Sequence, residues 1–281
     1  FDATNSSSVI NRLTLTNVND NNAKVTASTD FTNVNVAGKA GNNVTVDAKA
    51  AGNTGAPVNV AVTVATGNVE VIGAGHLTAA ANAAAGLVKA TAVQNLSLSA
   101  TAANVINATS TNGNVSVTDA TASVNTTVNA KGNVDISKLD AAGSVTVVAG
   151  GTINLAGSAG VNSTSLNLSG VGTSTVTGGA NAVIVATLSG NGAAATYDMI
   201  SSAKAMKDVI VTGSQDVTLK LDASKVNANI NVADNSTAGK FTLDLGTTAG
   251  NVDLTGSSSL IDVLKLSVDN NTKTLKVKDT Q

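Results

Sequence analysis

Five residues, Gly113-Asn114-Val115-Ser116-Val117, recur along the chain in close variants: Gly67-Asn68-Val69-Glu70-Val71, Gly132-Asn133-Val134-Asp135-Ile136, Gly143-Ser144-Val145-Thr146-Val147 and Gly250-Asn251-Val252-Asp253-Leu254. Each is a turn pair followed by two aliphatic residues that flank one polar residue, which is the period-2 pattern of a half-buried strand. A strand this short cannot bury its apolar side alone, so repeated copies must stack on one another and share a core. The expected fold class is therefore all-β, a parallel β-helix or β-solenoid, and the glycines of the motif read as turn residues.

The spacing agrees. Runs opening at Val69, Leu77, Leu87, Leu96, Val105, Val115, Val124, Val134 and Val145 recur at intervals of about ten residues. Those opening at Ile230, Phe241, Val252, Leu264 and Leu275 recur at about eleven. Such an interval holds a short strand and a turn, so two intervals make a two-sided coil and three a triangular one; the sequence leaves both open. One stretch departs from the pattern. In Ala193 to Lys207 the residues Met199, Ile200, Ala203 and Met206 fall at helical spacing behind Asp198, a good helix cap. The expectation is one short helix near 198–207, dividing the chain into a solenoid over 1–194, a helical excursion or junction over 195–208, and a continuing solenoid or second β subdomain over 209–281.

Composition fits thin coils better than a compact core. Aromatic residues are 1% of the 281 and tryptophan is absent, so volume must be filled by Val, Ile, Leu and Ala in columns. Charged residues are 12%, the formal charge is -2 and Arg12 is the only arginine, which leaves no basic stripe for nucleic acid. No window approaches the run of about 18 apolar residues that a membrane helix needs. There is no cysteine, hence no disulfide, thiolate metal site or cysteine nucleophile. The first residues, Phe1-Asp2-Ala3-Thr4, carry neither a basic nor an apolar leader, and the chain reads as a mature product or an excised segment.

Few residues offer chemistry. His76 is the only histidine, so a Ser-His-Asp triad would have to use it, and no GxSxG pentapeptide accompanies it. Paired carboxylates of the polysaccharide-cleaving kind would come from Asp135 with Asp140, or Asp244 with Asp253. Sugar sites also want aromatic platforms, which this chain almost lacks, and the expectation is that it is not an enzyme. Calcium suits the acids better: Asp222, Asp234, Asp244, Asp253, Asp262 and Asp269 punctuate the closing strands, although no EF-hand or GGxGxD array defines a ligand set. Against that stands the plainer use of Asp in Asx turns. Asn-x-Ser/Thr triplets at Asn43, Asn95, Asn107, Asn114, Asn125, Asn162 and Asn235 matter only if the source glycosylates its surface proteins.

Leu219-Lys220-Leu221-Asp222-Ala223-Ser224-Lys225-Val226, its echo Lys138-Leu139-Asp140-Ala141-Ala142-Gly143, and Gly250-Asn251-Val252-Asp253-Leu254-Thr255-Gly256 resemble runs in the β-solenoid S-layer proteins of the Caulobacter and Campylobacter type. That resemblance implies an extracellular, cell-surface protein that assembles with copies of itself into a lattice, often with calcium; glycan of the cell envelope is a further expected partner. Gly151-Thr152-Ile153-Asn154-Leu155-Ala156-Gly157 is similar to the coils of filamentous-haemagglutinin-like adhesins, which implies binding to host or neighbouring cells instead. A polysaccharide-processing β-helix is the third reading.

Overall fold

The computed structural model describes residues 12–18, 23–26, 33–38, 43–48, 58–64, 67–83, 86–102, 104–122, 124–141, 143–155, 161–162, 165–177, 185–200, 206–222, 226–248, 252–255, 261–268 and 275–276. Within them the protein is all-β, and strands pair in parallel with the strand one coil away, as a β-solenoid requires. The chain forms two compact units, Phe1–Ser137 and Lys138–Gln281.

In the first unit each coil has two strands, so the ten-residue interval is half a coil. One face stacks Val58–Val64, Leu77–Ala83, Leu96–Ala102, Val115–Ala122 and Val134–Ile136. The other stacks Val44–Ala48, Val69–Gly73, Leu87–Ala92, Val105–Ser110 and Asn125–Ala130. Inward positions form columns in register. On the first face these are Leu77, Leu96, Val115 and Val134, then Ala79, Leu98, Val117 and Ile136, then Ala81, Ala100 and Ala120. All of these residues are buried.

The columns explain how a core forms without rings. Seven of these ten strands, among them Val69–Gly73 and the Leu77–Ala83 that follows it, open on Val or Leu and close on Ala, Gly or Ser. The end of one face lies against the start of the other: a Cβ added at Gly73 would sit 3.2 Å from Leu77 Cβ. A bulky column thus meets a small one at each edge, and interior packing is reached with aliphatic groups alone. One rung breaks the rule. Thr126 stacks inward after Val88 and Ile106, is 1% exposed, and its hydroxyl has no hydrogen-bond partner among the described residues. Replacing Thr126 with Val keeps the shape and removes a dehydrated hydroxyl, so it should raise stability by about 1 kcal/mol, read as a higher urea midpoint at unchanged slope.

The second unit keeps the grammar with longer coils. Strand Ser165–Val176 pairs with Val185–Asp198, and the register slips between Gly170 and Gly172, where Asn191 to Ala194 loop outward and are exposed. Tyr197, 0% exposed, occupies an inward column with Ser174, Leu219 and Leu243. The short helix expected near 198–207 is corrected at both of its ends: Asp198 closes the strand Val185–Asp198, and Met206 and Lys207 open Met206–Gly213. Residues 201–205 lie outside the described set. Strand order prevails there because Ala195, Tyr197 and Met199 alternate inward with period 2, and Met199 N–H donates to Lys220 O at 2.9 Å. Asp198 does make a cap-like bond, from Ile200 N at 3.2 Å, but it closes an Asx turn after a strand.

Candidate functional site

The most ordered polar feature is the Asn of the repeated motif. Asn95, Asn114 and Asn133 stand just before successive strands of one face, 19 residues apart. Asn114 N–H donates to Asn95 Oδ1 at 2.9 Å, and Asn133 N–H donates to Asn114 Oδ1 at 2.8 Å. On the opposite edge Asn68 N–H donates to Asn43 Oδ1 at 2.8 Å, and Leu87 N–H to Asn68 Oδ1 at 2.7 Å. Each carboxamide therefore clips one coil to the next where the strand ladder stops, satisfying a turn N–H that would otherwise face water.

This arrangement revises the reading of the motif's glycines. The described glycines with positive φ are Gly172, Gly192, Gly213 and Gly246, so Gly113 and Gly132 are not needed for left-handed backbone. They are needed for space. A Cβ on Gly113 would lie 2.6 Å from Asn95 Oδ1, and one on Gly132 would collide with Asn114 Oδ1. Glycine precedes asparagine because the clip of the previous coil occupies the place of a side chain. Asn114→Ala should cost about 1 kcal/mol, since the orphaned N–H is solvent-accessible. Gly132→Ala should cost more, and the double variant should recover part of that loss, because Asn114→Ala removes the oxygen the new methyl strikes. A double-mutant cycle by thermal denaturation reads this coupling; strictly additive losses would refute the shared-space account.

The candidate chemical residues are spread along the coils. His76 is half-buried at the head of the column that continues through Asn95 and Asn114, beside a groove of about 400 Å³. Asp135 is exposed on Val134–Ile136 of the first unit, and Asp140 is exposed on Leu139–Ala141 of the second. Asp244 is flanked in register by Lys220 and Lys265, and Asp198 by Lys220, so one column alternates in sign: Asp198, Lys220, Asp244, Lys265. Asp253 likewise faces Lys276. In the first unit Glu70 and Lys89 make an ion pair of 2.9 Å across adjacent coils. The stacking that brings equivalent positions together thus sets acids beside lysines, which removes the repulsion a column of acids would carry.

Four acids of the second unit also serve the backbone. Asp234 accepts from Ser236 N at 2.9 Å and Asp244 from Gly246 N at 3.0 Å, both Asx turns. Asp216 accepts from Lys240 N of the following coil at 2.8 Å, repeating with a carboxylate the clip that Asn makes in the first unit, while Asp262 reaches back to accept from Phe241 N of the preceding coil at 2.7 Å. Asp222 is half-buried, and Asp269 lies outside the described residues. Among the described residues no group of three or more His, Cys, Asp or Glu side chains is arranged to hold a metal ion.

Hydrogen bonding of Asn along the stack is legible in the sequence, where Asn95, Asn114 and Asn133 recur at a fixed spacing; that the bond runs from the next coil's backbone N–H to Oδ1 is not. Comparison with protein-family models, with curated proteins and with solved structures finds no significant match. No helix among the described residues is long and apolar enough to cross a membrane.

Proposed function

We propose that this is a structural, extracellular protein of the cell surface that associates with copies of itself into a layer of the S-layer kind. One observation carries the reading: outward positions of successive coils form columns of short, mostly uncharged polar groups in register, such as Thr78, Ser97 and Ser116, or Asn82, Thr101 and Thr121. Small side chains lose little entropy when covered and allow close approach, so such a face suits broad packing against a like face. A single-site interface would instead be built on large aromatic or Arg anchors. Calcium belongs to the same proposal, through the carboxylates of the second unit and their counterparts on neighbouring copies. Contact with envelope glycan would anchor the layer.

The test is electron microscopy of the purified protein with added Ca²⁺ and with a chelator. Ordered sheets are expected, with calcium extending their order. Monodisperse particles under both conditions would sink the layer and favour the adhesin reading.

A further inference from the structure

We propose that the edge carrying His76, Asn95 and Asn114 is the seam through which two copies of this chain associate, an inference that rests on the self-assembly reading above. Two columns run side by side here. The pre-strand column is His76, Asn95, Asn114, and the outward column is Thr78, Ser97, Ser116, with Asp135 in the next register position of the latter. His76, Asn95, Asn114, Thr78, Ser97 and Ser116 line the groove of about 400 Å³, and Asp135 stands outside its lining.

The hydrogen bonds leave this edge half used. Asn95 Oδ1 and Asn114 Oδ1 each accept one backbone N–H from the following coil, which fixes both carboxamides. Their Nδ2 groups have no partner among the described residues, and both asparagines are exposed. Each carboxamide therefore presents two unused donor hydrogens and a second oxygen lone pair, a set that is its own complement. The donors repeat once per coil, at about 4.8 Å. A partner must match that repeat along the whole column, and a second copy does so by construction, as facing Asn ladders do in stacked β-assemblies.

Charge selects this edge over its counterpart. The equivalent groove on the other edge, of about 320 Å³, is lined by Asn43 and Asn68 but also by Glu70 and Lys89, whose ion pair would have to be dehydrated. The His76 groove has no Asp, Glu, Lys or Arg in its lining.

The experiment measures assembly by light scattering and microscopy for the parent and three charge variants. Asn95→Asp keeps an oxygen for Asn114 N–H, as Asp216 naturally does for Lys240 N–H, but removes the donors and places a charge in the seam. Thr78→Glu adds a charge at an exposed position beside it, and Thr109→Glu adds the same charge on the opposite face. The first two should raise the protein concentration needed for assembly about tenfold or more, with melting and circular dichroism unchanged, while Thr109→Glu leaves it within about twofold. Because the chain has no cysteine, Ser116→Cys adds a unique thiol, which a short bismaleimide should join between copies. If the parent assembles but Asn95→Asp and Thr78→Glu assemble equally well, or Ser116→Cys does not cross-link, the seam is wrong and the self-assembly reading survives. A parent that stays monomeric at every concentration, including one whose groove binds a soluble oligosaccharide instead, overturns both.

Discussion

Val115→Asp is expected to melt the coils around it, at a cost of about 3–5 kcal/mol. Val115 is 1% exposed and sits in the inward column between Leu96 and Val134, so a carboxylate there has neither water nor a cation within the core. The charge can escape only by protonating, which costs free energy at neutral pH, or by turning the strand outward. Turning the strand by one residue would expose Val117 as well and would break the bond from Val115 N to Asn133 O at 3.0 Å. The control is Ser97→Asp, which places the same group on the outward side of the preceding coil and should change stability by no more than about 0.5 kcal/mol. Far-ultraviolet circular dichroism during urea titration reads both. A Val115→Asp protein as stable as its parent would mean that Val115 is not a rung of the core.

The rung itself was legible in the sequence, because alternation with period 2 and an interval near ten residues are properties of single residues in order. Two strands per coil were not, since that depends on which rung stacks on which. Registers decide it: Leu77 pairs with Leu96 and Leu87 with Val105, each strand stacking on the next but one. The reason a glycine precedes each clip was hidden by a rival explanation. Gly-Asn is a common turn pair, and conformational freedom sufficed as a reason until Gly113 proved to be short of room rather than left-handed. The sign-alternating column was hidden by variable coil length. Asp198, Lys220, Asp244 and Lys265 stand 22, 24 and 21 residues apart, and they align only once the unequal coils between them are known. The helix expectation failed because Met199 and Met206 satisfy helical spacing while Ala195, Tyr197 and Met199 satisfy strand spacing. Burial of the latter three decided it.

Tyr197 should be the most costly single polar contact to lose in the second unit. Its hydroxyl donates to Ser189 O at 2.6 Å and accepts from Gly170 N at 2.9 Å, so one phenol satisfies two backbone groups beside the register slip. Tyr197→Phe keeps the ring and strands both partners, for an expected loss of about 1–3 kcal/mol. Tyr197→Ala adds a cavity in the column between Ser174 and Leu219, for a total of about 4 kcal/mol or more. The same burial pushes the phenol well above its ordinary value of 10.0, with the bond from Gly170 N opposing the shift. The unfolded chain then releases its proton at a lower pH than the folded one. Stability from this group is full below pH 10 and falls as pH rises beyond it. Tyr197 is the only tyrosine and there is no tryptophan, so tyrosinate absorbance reports this one group directly. The folded protein should show no tyrosinate until it unfolds at alkaline pH, and Tyr197→Phe should abolish that group's share of the alkaline loss. Titration of a folded Tyr197 near its ordinary value would show that the hydroxyl is not held between the two backbone groups.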